Sequence, residues 1–240
     1  MAELRIQNAV KVLMEPHRQF RLEIRELKLS PGDRIAILGP TGSGKTTAMD
    51  LLALAGLPTS ADLFELRDER GGVLDLRNIR SDSALAKLRA RHFGYVLQSN
   101  PLFSFMTIRE NCGLSQMVSG RVDRPFVDQL LGALDLADAS ESRVSTLSVG
   151  QRQKLAVGRA LAHRPQFVLC DEPTAALDSG SADALIAMLV RLAGAAGSCV
   201  VIITHDQALP RKHGFDIYRM HPITTTMRGS RLLPEKMRSS

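Results

Sequence analysis

The chain has 240 residues, 44% of them apolar, with a formal net charge of +6, enough for one large α/β domain or one such domain with an inserted subdomain. With 4% aromatic residues, two Tyr and no Trp, it lacks the stacking platforms that bind single-stranded nucleic acid, and no nucleic-acid partner is expected. No apolar run reaches the roughly 18 residues of a membrane span, and the opening Met1-Ala2-Glu3-Leu4-Arg5-Ile6-Gln7 has no long apolar core, so no signal peptide is expected.

Leu4 and Ile6, then Phe20, Leu22 and Ile24, alternate with polar residues and predict edge or half-buried strands within the first 30 residues. Pro31-Gly32-Asp33 turns the chain into an apolar strand, Arg34–Leu38. Residues 61–80 read as a charged, irregular stretch around Gly71-Gly72. A helical pattern covers 84–91, and a short strand over 93–97 ends in Gln98. Residues 99–150 read as a separate small unit, in which apolar positions 127, 130, 131 and 134 mark one face of a helix over 123–136. A helix over 151–162, a strand over 167–170, a helix over 180–193 and a strand over 199–203 complete the pattern. Short apolar strands alternating with helices predict a parallel sheet covered on both sides. The end sets Arg228, Arg231, Lys236 and Arg238 against one acid, Glu235, and reads as a solvated basic tail. Cys112, Cys170 and Cys199 are far apart in apolar surroundings, which suits buried thiols in a reducing compartment.

The chemistry starts at Gly39-Pro40-Thr41-Gly42-Ser43-Gly44-Lys45-Thr46, which matches G-x-x-x-x-G-K-[ST] at every fixed position. The glycines let the backbone curl so that successive N–H groups aim at one anion. Lys45 brings a mobile charge to the β- and γ-phosphates, and Thr46 a hydroxyl to Mg²⁺. Good helix formers follow from Thr47, so the phosphates would also meet a helix N-terminus.

Phe167-Val168-Leu169-Cys170 delivers two adjacent acids. Asp171 suits Mg²⁺, directly or through water, and Glu172 suits polarising a water toward the γ-phosphate. The strand at 199–203 similarly delivers His205, which could bond the γ-phosphate or hold the attacking water. Gln98, at another strand end, can reach the metal or the water. Each of these also has a plainer reading, as a strand-end acid pair or a structural histidine. The remaining histidines, at 17, 92, 163, 213 and 221, read as surface or packing residues. Ser148 opens a helix with Gly150 close behind, the presentation of a hydroxyl and amides to an anion, or else an ordinary cap. A chain that already owns a phosphate loop has use for this second anion-binding helix start only with a partner.

These motifs together resemble the nucleotide-binding subunits of ATP-binding-cassette (ABC) transporters, over residues 4–220. In that resemblance residues 39–46 are the phosphate loop, followed by Thr47. Gln98 is the glutamine loop, and Leu147-Ser148-Val149-Gly150-Gln151 the signature. Residues 167–171 are the Walker B strand and Glu172 the catalytic glutamate. Ala176-Leu177-Asp178 is the D-loop and His205 the switch histidine. The resemblance implies a P-loop NTPase α/β fold with a mainly parallel core sheet, an N-terminal antiparallel β subdomain and an inserted helical subdomain at about 99–150. The ATPase domain would run over 1–225, with a basic tail over 226–240.

It further implies ATP with Mg²⁺, sandwiched between residues 39–46 of one copy and Ser148, Gly150, Gln151 and Asp178 of another, head to tail. A membrane permease would dock near 98–111, with Phe103, Phe105 and Met106 as lining residues, at the cytoplasmic face of the membrane. The segment 88–98 resembles the lipoprotein-releasing and macrolide-exporter branch. The alternatives are an ATP-binding regulatory partner with little hydrolysis, or a soluble family member acting on DNA or ribosomes. Three departures stand out. Val149 replaces a usual glycine, no aromatic stands near Val12 and Leu13 to stack adenine unless His17 or Phe20 substitutes, and residues 61–80 are unusually charged.

Overall fold

The alternation near the N-terminus becomes two long antiparallel strands, β1 (Glu3–Glu15) and β2 (Arg18–Leu29), in register from Leu4↔Leu29 to Leu13↔Phe20 and beyond. The structure, a computed structural model, describes residues 2–15, 18–68, 71–99, 101–223 and 228–235. In chain order there follow β3 (Arg34–Leu38), α1 (Lys45–Leu52), β4 (Leu63–Arg67), β5 (Val73–Asp75), α2 (Asp82–His92) and β6 (Phe93–Val96). Then come α3 (Ile108–Ser119), α4 (Arg124–Ala133), α5 (Val149–Leu161), β7 (Phe167–Asp171), α6 (Ser179–Ala195), β8 (Cys199–Thr204), α7 (Ala208–Lys212), β9 (Asp216–Ile223) and β10 (Gly229–Pro234). Residues 1–85 with 201–240 form one unit, and residues 86–200 a second.

In the first unit the strands run β5-β4-β1-β2-β10-β9-β3-β8. β1 and β2 are therefore interior strands and not edges, while the half-buried reading of their alternation holds, with Arg5, Gln7, Glu23 and Arg25 on the more open face. Leu4, Leu22, Ile24 and Leu29 are fully buried. Pairing is antiparallel through β5, β4, β1 and β2, and parallel for β2 with β10 and for β3 with β9.

The described residues of 61–80 are mostly regular. They hold the β4–β5 hairpin and a short 3₁₀ turn, Leu76–Asn78. Their charges are paired across strands: Glu65 sits opposite Arg5 and accepts from both Arg5 and Arg67, at 3.3 and 2.9 Å. Asp68 closes the hairpin by accepting the Gly72 N–H at 2.8 Å.

The expected basic tail is also corrected. Residues 229–234 form β10, held between β2 and β9, with Leu232 buried. Arg231 is paired with Glu23 at 2.6 Å, and Glu235 with Arg211 and Arg219. Lys236 and Arg238 lie outside the described residues.

In the second unit β6 and β7 pair in parallel, Phe93↔Phe167 to Val96↔Cys170. Thr107 and Glu110 close a reciprocal cap on α3, and Asp123 caps α4. Residues 99–150, set apart by their sequence pattern, share their core with α5. Ser115 Oγ donates to the Arg159 carbonyl at 2.6 Å, Gln116 Nε2 to that of Ala162 at 2.8 Å, and the expected face of Val127, Leu130, Leu131 and Leu134 is buried. Each fully buried leucine there contributes about 1.5–3 kcal/mol. All three cysteines are buried free thiols, and burial pushes the Cys112 thiol up to about 12. Among the described residues no helix is long and apolar enough to cross a membrane.

Candidate nucleotide site

In the first unit the buried strand β3 runs straight into residues 39–46, and α1 begins at Lys45. Gly42 and Gly44 take φ of 77° and 90°, the left-handed region in which a side chain is strained. The room is as restrictive as the dihedrals. A Cβ on Gly39 would lie 2.7 Å from Ser43 Oγ and 2.8 Å from Met220 Cβ, and one on Gly44 would lie 2.5 Å from the Phe20 ring.

Gly44 gives α1 no side-chain cap, so the helix start keeps donors for an anion. Lys45 Nζ donates to the carbonyls of Gly39 and Pro40, at 2.8 and 3.1 Å, folding the charge over the loop. Ser43 Oγ is buried without a hydrogen-bond partner among the described residues. This orphaned hydroxyl and the glycine cradle fit a phosphate group.

Phe20 is 2% exposed beneath Gly44, so it is the floor of the loop and is not available to stack a base. His17, the other suggested substitute, lies outside the described residues, and Val12 and Leu13 are half-buried. His205 follows β8, the neighbour of β3, so it and the phosphate loop follow adjacent strands. Beyond it Asp206 Oδ1 accepts the N–H groups of Ala208 and Leu209, at 2.7 and 3.2 Å, and starts α7.

In the second unit β7 is buried along its length and delivers Asp171 and Glu172 half-buried. Glu172 has φ of 46°, a left-handed backbone costing about 1–3 kcal/mol in a non-glycine residue, as strained backbone at functional sites does. Asp178 caps α6: its carboxylate accepts the Ser181 N–H at 2.9 Å and hydroxyl at 2.6 Å, and the Ser181 hydroxyl holds its pKa below the usual range. Gln98 is exposed in the turn after β6.

Ser148 is the N-cap of α5. Its Oγ accepts the Gln151 N–H at 3.3 Å, and Gln151 Oε1 accepts the Ser148 N–H at 2.9 Å. The ordinary-cap reading of Ser148 therefore holds, alongside an exposed helix start. Val149 is 45% exposed, so the departure from glycine projects outward. A Cβ on Gly150 would meet nothing closer than Leu177 Cδ2 at 3.9 Å, which brings the signature helix beside the 176–178 segment and leaves room for a side chain.

A groove of about 490 Å³ in the second unit is lined by Phe93, Tyr95, Phe103, Leu114, Val118 and Arg159, among others. Phe103 and Phe105 are 42% and 68% exposed, with ring centroids 5.6 Å apart, so they are surface rather than subdomain core. Of the three expected lining residues only Phe103 borders the groove; Phe105 and the half-buried Met106 do not.

Sequence reasoning passed over Asn111, while His163, read as a surface or packing residue, is a buried packing residue. Asn111 is wholly buried; its side chain accepts the Phe103 N–H at 2.8 Å and donates to the Phe103 and Thr107 carbonyls at 3.0 Å, fixing the segment after Gln98. The visible signal is a polar residue at helical spacing between the buried Ile108 and Cys112, on a face that also buries Gln116. His163 lines the groove, bonds the Phe93 carbonyl through Nε2 at 3.1 Å, and burial pulls its pKa down to about 4.

A glycine loop of this build between a buried strand and a helix defines a P-loop nucleoside triphosphatase. Residues 22–175 match the family model described as ABC transporter. Lipoprotein-releasing system ATP-binding protein LolD of Novosphingobium aromaticivorans is 38% identical over 187 residues, covering 76% of this chain and 80% of that protein. Macrolide export ATP-binding/permease protein MacB of Wolinella succinogenes is 34% identical over 209 residues, covering 82% of this chain and 31% of that longer protein. Among solved structures, a post-hydrolysis dimer of the ATP-binding cassette MJ0796 bound to ADP and Pi matches with a TM-score of 0.78 at 27% identity, covering 100% of both chains. The chain belongs to the ATP-binding family of ABC transporters. It binds and hydrolyses ATP as the ATPase subunit of such a transporter.

Proposed function

We propose that the chain hydrolyses MgATP as one of a head-to-tail pair and couples this to a membrane permease. The amides and lysine of residues 39–46 hold the β- and γ-phosphates, with Thr47 behind them. Thr46, Gln98 and Asp171 are the residues that would hold Mg²⁺, which would supply charge neutralisation to the phosphates. Glu172 takes a proton from the attacking water, and His205 bonds the γ-phosphate. Ser148, Gly150, Gln151 and Asp178 serve the nucleotide held by the other copy. Residues 1–225 then act as the ATPase domain, with 99–150 as its partner-facing region, although 229–234 also belong to the sheet.

The observation that carries the pairing is the exposed α5 start, where a Cβ on Gly150 would meet only Leu177 Cδ2, at 3.9 Å, among the described residues. The groove beside Phe103, following Gln98, is the surface for an apolar permease helix. Similarity to the two named relatives supports a transporter of the lipoprotein-releasing or macrolide-exporting kind, with this subunit peripheral at the cytoplasmic membrane face.

Glu172→Gln is expected to cut ATPase turnover about 100-fold or more while ATP binding persists and an ATP-bound dimer accumulates on size exclusion. Undiminished hydrolysis would remove Glu172 as the base.

A further inference from the structure

Where β2 pairs with β10, three arginines stand close in register: Arg21 on β2, Arg231 on β10, and Arg228 one residue before β10. Two are committed to one acid: Arg21 Nε donates to Glu23 at 2.8 Å, and Arg231 donates to it through Nε and Nη2 at 2.8 and 2.6 Å. Arg228 is exposed, and its guanidinium has no hydrogen-bond or ion-pair partner among the described residues.

Its backbone, in contrast, is pinned. The Arg228 carbonyl accepts the Arg21 N–H at 3.0 Å. Next to it Gly229 pairs with Arg21 so closely that a Cβ would fall 2.4 Å from the Arg21 carbonyl oxygen. Residue 21 directly follows Phe20, the ring beneath Gly44. One dipeptide of β2 thus carries the floor of the phosphate loop and the anchor of Arg228. The guanidinium is delivered accordingly: a Cβ on Gly42 would lie 3.7 Å from Arg228 Nη2.

We propose that Arg228 is an additional phosphate-contacting residue, a second cation beside Lys45 at the loop. A guanidinium presents paired donors in a plane and suits phosphate oxygens better than a point charge does. At this loop it adds charge for the phosphates without using the base. The inference rests on residues 39–46 being the phosphate site.

The test compares binding of MgATP and of inorganic tripolyphosphate with Mg²⁺ to the full chain. Arg228→Ala is expected to weaken both about tenfold, with Arg228→Lys recovering part of the loss and Arg231→Ala changing neither. Unchanged affinities, or a loss confined to ATP, would overturn the phosphate contact, the latter in favour of a base contact. A fall in the ligand-free melting temperature of Arg228→Ala, with the fold loosened to match the lost binding, would overturn it in favour of a structural role. Lys45→Ala separates the parent reading: if it binds tripolyphosphate like the native chain, residues 39–46 are not the phosphate site and both readings fall.

Discussion

The phosphate loop and the signature loop are both glycine-bearing helix starts, yet they answer to different constraints. At residues 39 and 44 the chain itself forbids a side chain, through Met220, Ser43 and the Phe20 ring within 2.8 Å of where a Cβ would stand. At Gly150 the atom nearest to such a Cβ is 3.9 Å away, and neighbouring Val149 is 45% exposed. One loop is explained from within the molecule. The other is capped by its own chain but leaves its glycine without such a constraint, which the proposed partner would supply.

Alanine substitution at the two loops gives the strongest way to break this contrast. Gly44→Ala adds left-handed strain and a clash with Phe20, a cost of about 2–5 kcal/mol, so ATP binding by the lone chain should fall at least about 30-fold on the scale of such energies. A titration showing native affinity would remove the steric account of the phosphate loop.

Acid gives a second, smaller separation. His163 belongs to the unit that holds the signature loop, and its pKa is lowered to about 4 by burial. In the unfolded chain that histidine titrates near 6.5, so between the two values the unfolded state binds more protons. Its contribution to stability is present above about pH 6.5 and is lost as pH falls toward 4, up to about 3 kcal/mol. Melting curves should show this loss in the native chain and a reduced slope in His163→Gln. An identical slope in both would place the acid sensitivity elsewhere.

The smallest expected effect is the most discriminating. Gly150→Ala lies in the first turn of α5 with space around it, so the lone chain should keep its ATP affinity and gain up to about 1 kcal/mol of helix stability. Turnover of the paired form should nevertheless fall several-fold. A variant that loses lone-chain ATP affinity would show that Gly150 is constrained by its own chain after all.

Much of this contrast was legible in the sequence. The fixed spacing of 39–46, the apolar run before Asp171 and Glu172, and the serine ahead of the α5 helix are local signals, and local signals survive translation into structure. The misreadings came where distant residues decide. The charges at 61–80 suggested irregularity because the partner of Glu65, Arg5, stands 60 residues away in sequence. The basic end suggested a free tail because Glu23, 208 positions from Arg231, is invisible to any local window. Strand propensity depends on such neighbours. Phe20 was offered as a base-stacking ring for the same reason: only the fold reveals that it lies under Gly44.

The reciprocal bonds between Ser148 and Gln151 have one more consequence. They close the first turn of α5 using groups of the chain itself, so the signature surface is already stiff before anything approaches it. A partner landing there has no segment to order, and loses little affinity to conformational entropy. On this side, at least, the face is preformed, and the rate of such an encounter would be set by diffusion and orientation.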